Sequence, residues 1–133
     1  MTQEQKDLLI KDLCGRLPYG VKVEYNGEKY KISNVSICNE TVTIYGERGY
    51  PMEVEIKKVK PYLFPLSSMT NEQCYKLASI RSDFQDCWKY IKTPIPLSIC
   101  NFEQIDFFHK NHLDYRGLIP MGIANDATGL NIY

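Results

Sequence analysis

The stretch VKVEYNGEKYKI, residues 21–32, decides the fold of this chain. Its first half alternates apolar and charged residues, which is the period of a strand with one buried face. Asn26 and Gly27 follow, and this dipeptide tolerates the positive φ angles of a type I′ hairpin turn. The second half alternates again, with Tyr30 and Ile32 directed inward. The stretch therefore predicts two antiparallel strands joined by a two-residue turn.

Three further segments have the same strand character. They are VSIC (35–38), TVTIY (41–45) and MEVEI (52–56). Together with the first hairpin they make about five short strands, each with one apolar face. Since closing such a sheet removes its exposed edges, residues 20–58 are predicted to form a small antiparallel SH3-like β-barrel or curled sheet.

Capping-box sequences predict helices on either side of the sheet. In such a box, two side chains three residues apart satisfy the free backbone groups at a helix start. The pairs are Thr2 with Gln5, Thr70 with Gln73, and Asn101 with Gln104. They predict an N-terminal helix over residues 3–14, a long helix from 70 to about 91, and a third helix that buries Phe102, Ile105 and Phe108.

No repeat or linker divides the chain, so residues 1–133 are predicted to form a single α+β domain. Its predicted parts are an N-terminal helix (1–15), the barrel or sheet (20–58), two C-terminal helices (70–112) and an irregular tail (113–133). Residues 57–69 contain Pro61 and Pro65 and are predicted to be a crossover whose apolar residues pack across the sheet.

The charge balance argues against several classes of partner. Sixteen basic and sixteen acidic residues cancel, so no global field attracts a polyanion, and nucleic acid is an unfavoured partner. No apolar run approaches the roughly 18 residues of a membrane span, and the N-terminus lacks the basic and apolar regions of a signal peptide. A cytoplasmic protein without a membrane partner is predicted.

The five cysteines are far apart and form no CxxC pair. This spacing excludes a zinc knuckle or a thioredoxin-type motif. We expect free, buried thiols in a reducing compartment.

A polar cluster, HKNHLDYR, occupies residues 109–116. Asp106, His109 and His112 are spaced by three residues, so a helix would place them along one side. A zinc site needs three or four ligands, and a metal-dependent hydrolase built on these histidines is therefore the third hypothesis. Histidines at the negative end of a helix dipole are the favoured interpretation, with no metal, no cofactor and no enzyme activity.

Arg116 gives the same cluster a second interpretation. Its planar guanidinium suits a carboxylate or a phosphate, and Asp114 lies two residues away. An internal ion pair that fixes the tail is favoured over a ligand or partner surface formed by His112, Asp114, Tyr115 and Arg116.

Positive charge also adjoins an aromatic residue where Lys57, Lys58 and Lys60 precede Tyr62. Small barrels bind single strands through such surfaces, so Lys58, Lys60 and Tyr62 are candidate binding residues. Glu53 and Glu55 lie just upstream and weaken the field, which favours a solvated strand instead.

Three stretches carry a resemblance to a known family: MTQEQKDLLIKDLCGRLPYGVKVEYNG, KPYLFPLSSMT and HLDYRGLI. With them the chain resembles a family of small accessory proteins of Bacteroides-type bacteria, their phages and other mobile elements. The resemblance covers most of the chain and implies an accessory gene of a phage or integrated element. It assigns no catalytic residue.

Accessory proteins of this size commonly work by binding, and the primary hypothesis is a non-enzymatic binding module. Its predicted partner is a host protein, or a small anionic ligand such as a signalling nucleotide whose sequestration would evade host defence. A single-stranded nucleic-acid-binding barrel is the alternative hypothesis. The sequence leaves the oligomeric state open, a homo-oligomer included.

Overall fold

The structure is a computed structural model that describes residues 1–47, 49–80 and 102–133, with side chains up to residue 77 in the second range. Its helices are α1 (Gln3–Arg16), α2 (Asn71–Ile80) and α3 (Phe102–Lys110). Its strands are β1 (Lys22–Tyr25), β2 (Glu28–Ser36), β3 (Thr41–Tyr45), β4 (Met52–Glu55), β5 (Lys60–Pro65), β6 (Leu113–Asp114) and β7 (Asn125–Asp126). The α+β class, the N-terminal helix and the curled sheet are confirmed.

Helix α1 begins at the predicted capping box. The Thr2 hydroxyl accepts the Gln5 amide at 3.1 Å, and the Gln5 side chain accepts the Thr2 amide at 3.1 Å. The helix buries Leu9 and Leu13 against the sheet. It continues through Gly15 to Arg16, two residues beyond the predicted end.

The hairpin of β1 and β2 and its two-residue turn are confirmed. Asn26 and Gly27 have φ angles of 50° and 81°, which are the positive values that a type I′ turn requires. Tyr25 lies opposite Glu28, and the register continues to Lys22 opposite Lys31.

Two of the predicted strands are one strand in the structure. Residues 28–32 and 35–38 were expected on separate strands, but β2 runs from Glu28 to Ser36 with a register shift between Ile32 and Asn34. Such a bulge bends a strand without ending it.

Of the two predicted forms, an SH3-like barrel or a curled sheet, the structure has the curled sheet, and it is mixed where an antiparallel one was predicted. The strand order is β4-β3-β2-β1-β5-β6, with β7 also paired to β5, and the described strands leave the sheet open. Strand β5 lies within residues 57–69, the predicted crossover, and pairs antiparallel with β1 but parallel with β6 and β7. The tail strands β6 and β7 therefore pair with β5, whose free edge a closed barrel would have paired with the strand at the other end of the sheet.

The main core lies between α1 and the inner face of the sheet. Its fully enclosed residues include Leu9, Val23, Ile44 and Leu63. A second cluster joins α3 to the tail through Phe108, Leu113 and Tyr115.

The face that α3 buries agrees with the prediction at Phe108 and Ile105 but not at Phe102. Phe102 is 91% exposed, whereas Gln104, Phe108 and His109 are buried. Helix α2 begins where the long helix was predicted, and the continuation to residue 91 lies outside the described residues.

Two of the thiols are exposed, although all five were expected to be buried. Cys14 and Cys38 are free and exposed, Cys74 is free and buried, and Cys87 and Cys100 lie outside the described residues. Within the described ranges, none of the helices has the length and apolar character that crossing a bilayer requires.

Candidate functional site

The predicted cluster at residues 109–116 is largely an internal polar network. Arg116 Nε lies 3.1 Å from Asp12 Oδ1 on α1, so the expected ion pair with Asp114 is replaced by one with a distant residue. Arg16 Nε lies 2.7 Å from the other carboxylate oxygen, and both Asp12 and Arg16 are fully buried. Arg16 also donates to the Leu113 carbonyl at 2.7 Å. The network therefore joins α1 to the tail.

Asp114 stabilises the turn that follows it. Its carboxylate accepts the backbone N–H groups of Leu118 at 2.8 Å and Ile119 at 2.9 Å. Burial raises the pKa of the Asp114 carboxyl. Both carboxylate oxygens are thus used inside the fold.

Tyr115 lies at the centre of the network and is fully buried. Its ring stacks on Phe108 at 5.1 Å, and the guanidinium groups of Arg16 and Arg116 lie 5.4 and 5.1 Å from its centroid. Its hydroxyl is 2.7 Å from His109 Nε2. Tyr115 is therefore a core residue.

The two histidines have different surroundings. Burial, together with the charge of Arg16, lowers the pKa of His109 to about 4. His112 has a φ of 56° and stacks on Tyr133 with ring centroids 3.5 Å apart. Burial likewise lowers its pKa to about 4. Across the described residues no group of three or more metal-ligating side chains occurs, so Asp106 does not join the histidines in a site.

The lysines after β4 do not share a binding surface with Tyr62. Lys57 pairs with Glu55 at 3.1 Å, while Lys58 and Lys60 are exposed. Tyr62 is only 8% exposed and packs against Ala127 and Ile132 of the tail. Its ring face is covered and cannot stack on a base.

A cleft of about 390 Å³ lies elsewhere, at the end of the sheet. Its lining residues are Lys22, Lys29, Tyr30, Lys31, Tyr45, Gly46 and Glu47. The cleft forms because β3 ends at Tyr45, opposite Lys31, while β2 continues to Glu28. Residues 28–30 of β2 thus have no partner strand on the β3 side in the described part of the chain. In an antiparallel strand the backbone N–H and C=O groups of successive residues point to opposite sides, and those of Lys29 point to this side, into the cleft.

The cleft carries unbalanced positive charge. Lys22 lies directly opposite Lys31 on one face of the sheet. The ammonium group of Lys22 is held by the Ile132 carbonyl at 2.7 Å. Lys29 and Lys31 form no ion pair within 4.0 Å with any described residue. Like charges directly opposite each other destabilise a strand pair.

Aromatic rings border the same cleft. Tyr30 packs edge-on against Tyr25 at 6.1 Å, and its hydroxyl donates to Glu28 at 3.0 Å. A side-chain carbon at Gly46 would lie 3.4 Å from the Tyr30 ring, so the Gly46 backbone closely covers that ring. Tyr45 is 36% exposed.

None of the three cleft lysines was among the candidates predicted from sequence. The sequence did contain a signal for the lysine pair. The two-residue turn at Asn26–Gly27 pairs Tyr25 with Glu28, and counting outward by one residue on each strand brings Lys22 opposite Lys31. The end of β3 at Tyr45 was also predicted, but its position opposite Lys31 depends on the register shift between Ile32 and Asn34, which had no comparable signal.

Comparisons of the chain with protein-family models, curated proteins and solved structures gave no match.

Proposed function

We propose that this protein is a non-enzymatic binding module that takes a small phosphorylated ligand in the basic cleft. The observation that carries the proposal is Lys22 directly opposite Lys31, two lysines whose cross-strand positions leave like charges together. Lys29 lies beside them, opposite Glu24, and neither Lys29 nor Lys31 forms an ion pair within 4.0 Å with a described residue. This arrangement costs stability in the free protein. A bound anion would neutralise the repulsion and accept charge-assisted hydrogen bonds from the ammonium groups.

The aromatic border narrows the ligand class. Tyr45 lies opposite Lys31 and is 36% exposed, and aromatic faces stack on nucleobases whatever their sequence. The cleft volume of about 390 Å³ lies in the range of roughly 300–1,000 Å³ typical of small-molecule sites. A nucleotide combines the phosphate and the flat ring that this lining favours.

The resemblance to phage and mobile-element accessory proteins supports a role in which binding itself is the activity. Sequestration of a signalling nucleotide in the host cytoplasm fits both the resemblance and the cleft. The same phosphate and base chemistry also occurs in single-stranded nucleic acid, which is the alternative.

Calorimetric titration distinguishes a free nucleotide from single-stranded nucleic acid as the ligand. The probes are inorganic phosphate, AMP, GMP, UMP and a short oligothymidylate, each at low and high salt. We expect a nucleotide to bind, and Lys31→Gln to weaken binding roughly tenfold or more, since a hydrogen bond to a charged group contributes about 1.5–3 kcal/mol. Lys60→Gln is the matched control, because Lys60 is also an exposed strand lysine but lies outside the cleft.

Two results would overturn the proposal: no binding of any probe, or an equal loss in both variants. Binding of the oligonucleotide alone, with affinity that falls steeply with salt, would instead assign the single-strand alternative.

A further inference from the structure

Glu47 is an acidic residue in the otherwise basic cleft. It follows Tyr45 and Gly46 where the chain leaves β3, and it is exposed. Its carboxylate forms no ion pair within 4.0 Å with any described residue, including the three lysines that line the same cleft. The cleft thus presents separate positive and negative groups that do not neutralise each other.

A purely anionic ligand would gain nothing from such a carboxylate and would be repelled by it. A ligand that carries a phosphate and also adjacent N–H donors would satisfy both the lysines and the carboxylate of the cleft. Among the common bases, guanine offers two neighbouring donors, its ring N1–H and its exocyclic amine, which together match the two oxygens of one carboxylate. Adenine has an acceptor at N1, and uracil has a single donor at N3.

We infer that Glu47 accepts hydrogen bonds from a guanine base, so that the cleft selects guanine nucleotides. The inference rests on the proposed function and specifies its ligand. In this arrangement the phosphate lies at Lys29 and Lys31, and Tyr45, next to Lys31 across the strands, borders the base. A site that accepts hydrogen bonds from these two donors discriminates against ligands that lack them. Such a ligand would displace water from the carboxylate without replacing its hydrogen bonds.

The test compares the affinities of GMP, IMP and AMP for the wild-type protein and for Glu47→Gln. IMP keeps the N1–H donor but lacks the exocyclic amine. We expect wild-type protein to bind GMP at least tenfold more tightly than AMP, with IMP between them. Glu47→Gln should reduce the GMP preference severalfold while it binds inorganic phosphate as tightly or more tightly. Glu103→Gln, an exposed glutamate on α3, is the matched control and should change nothing.

Equal affinities of wild-type protein for GMP and AMP would overturn the guanine inference and leave the proposed function standing. An unchanged preference in Glu47→Gln would also overturn it. Failure of all three nucleotides and of inorganic phosphate to bind would remove the proposed function, and the inference with it.

Discussion

Gly15 shows how one missing side chain positions α1 against α3. A side-chain carbon at this position would lie 2.6 Å from His109 Cε1. The His109 ring has little room to move, since it is buried and its Nε2 lies 2.7 Å from the Tyr115 hydroxyl. Glycine within a helix is therefore explained by close packing.

Gly15→Ala should lower the free energy of unfolding by about 1–3 kcal/mol, because overpacking displaces the histidine ring. Helix propensity alone predicts the opposite sign, a gain of about 1 kcal/mol. Urea denaturation of the two proteins decides between these effects. A more stable Gly15→Ala protein would contradict the packing described here.

Polar residues on α3 could not be assigned to the core from their pattern. The apolar spacing predicted Phe102 on the buried face, but the structure buries Gln104 and His109 instead. His109 enters the core because Gly15 leaves space and Tyr115 supplies a hydrogen-bond partner. Gly15 lies on α1, far along the chain from α3, so the spacing of residues within α3 could not indicate this space.

The hairpin of β1 and β2 is the element that forms the proposed site. Its register follows from the Asn26–Gly27 turn, so the lysine pair is fixed by local sequence.

Strand β5 was missed for a different reason. Prolines weaken a strand pattern, and Tyr62 and Leu63 are buried in succession because the tail covers one face. Pairing with the tail is a long-range property.

Lys31→Gln should raise the free energy of unfolding of the ligand-free protein by roughly 0.2–1 kcal/mol, since it removes a like-charge cross-strand pair. Lys60→Gln is the matched control, because Lys60 lies opposite Glu24 and its removal should leave stability unchanged or lower. Thermal or urea unfolding measures both. A Lys31→Gln protein that is less stable than the Lys60→Gln protein would contradict the charge argument.

At the scale of the whole molecule, the network of Asp12, Arg16 and Arg116 ties the first helix to the tail across the second core cluster. The predicted ion pair of Arg116 was placed within its own loop, since sequence spacing indicates only near neighbours. The partner on α1 is more than one hundred positions away. Folding of the tail and of α1 is thus coupled through buried charge.

Stability should fall as the pH is lowered from about 6.5 to about 4. Burial lowers the pKa of His109 and His112 to about 4, whereas an unfolded histidine titrates near about 6.5. Between these values the unfolded chain binds more protons, so the free energy of unfolding rises with pH and levels off above about 6.5.

The raised pKa of Asp114 has the opposite effect, because it makes the free energy of unfolding fall as the pH rises. A histidine variant therefore separates the histidine contribution from that of Asp114. Urea unfolding at a series of pH values should give a flatter curve for His109→Gln than for wild-type protein. Identical curves would show that His109 is not kept neutral by the fold.

The most direct test of the proposed site is an amide chemical-shift titration of the protein with GMP. We predict the largest shifts at Lys22, residues 29–31 and residues 45–47, saturating with added nucleotide. Shifts confined to residues 58–62 or 112–116, or a spectrum unchanged by GMP, AMP and inorganic phosphate, would contradict the assignment of the basic cleft as the binding site.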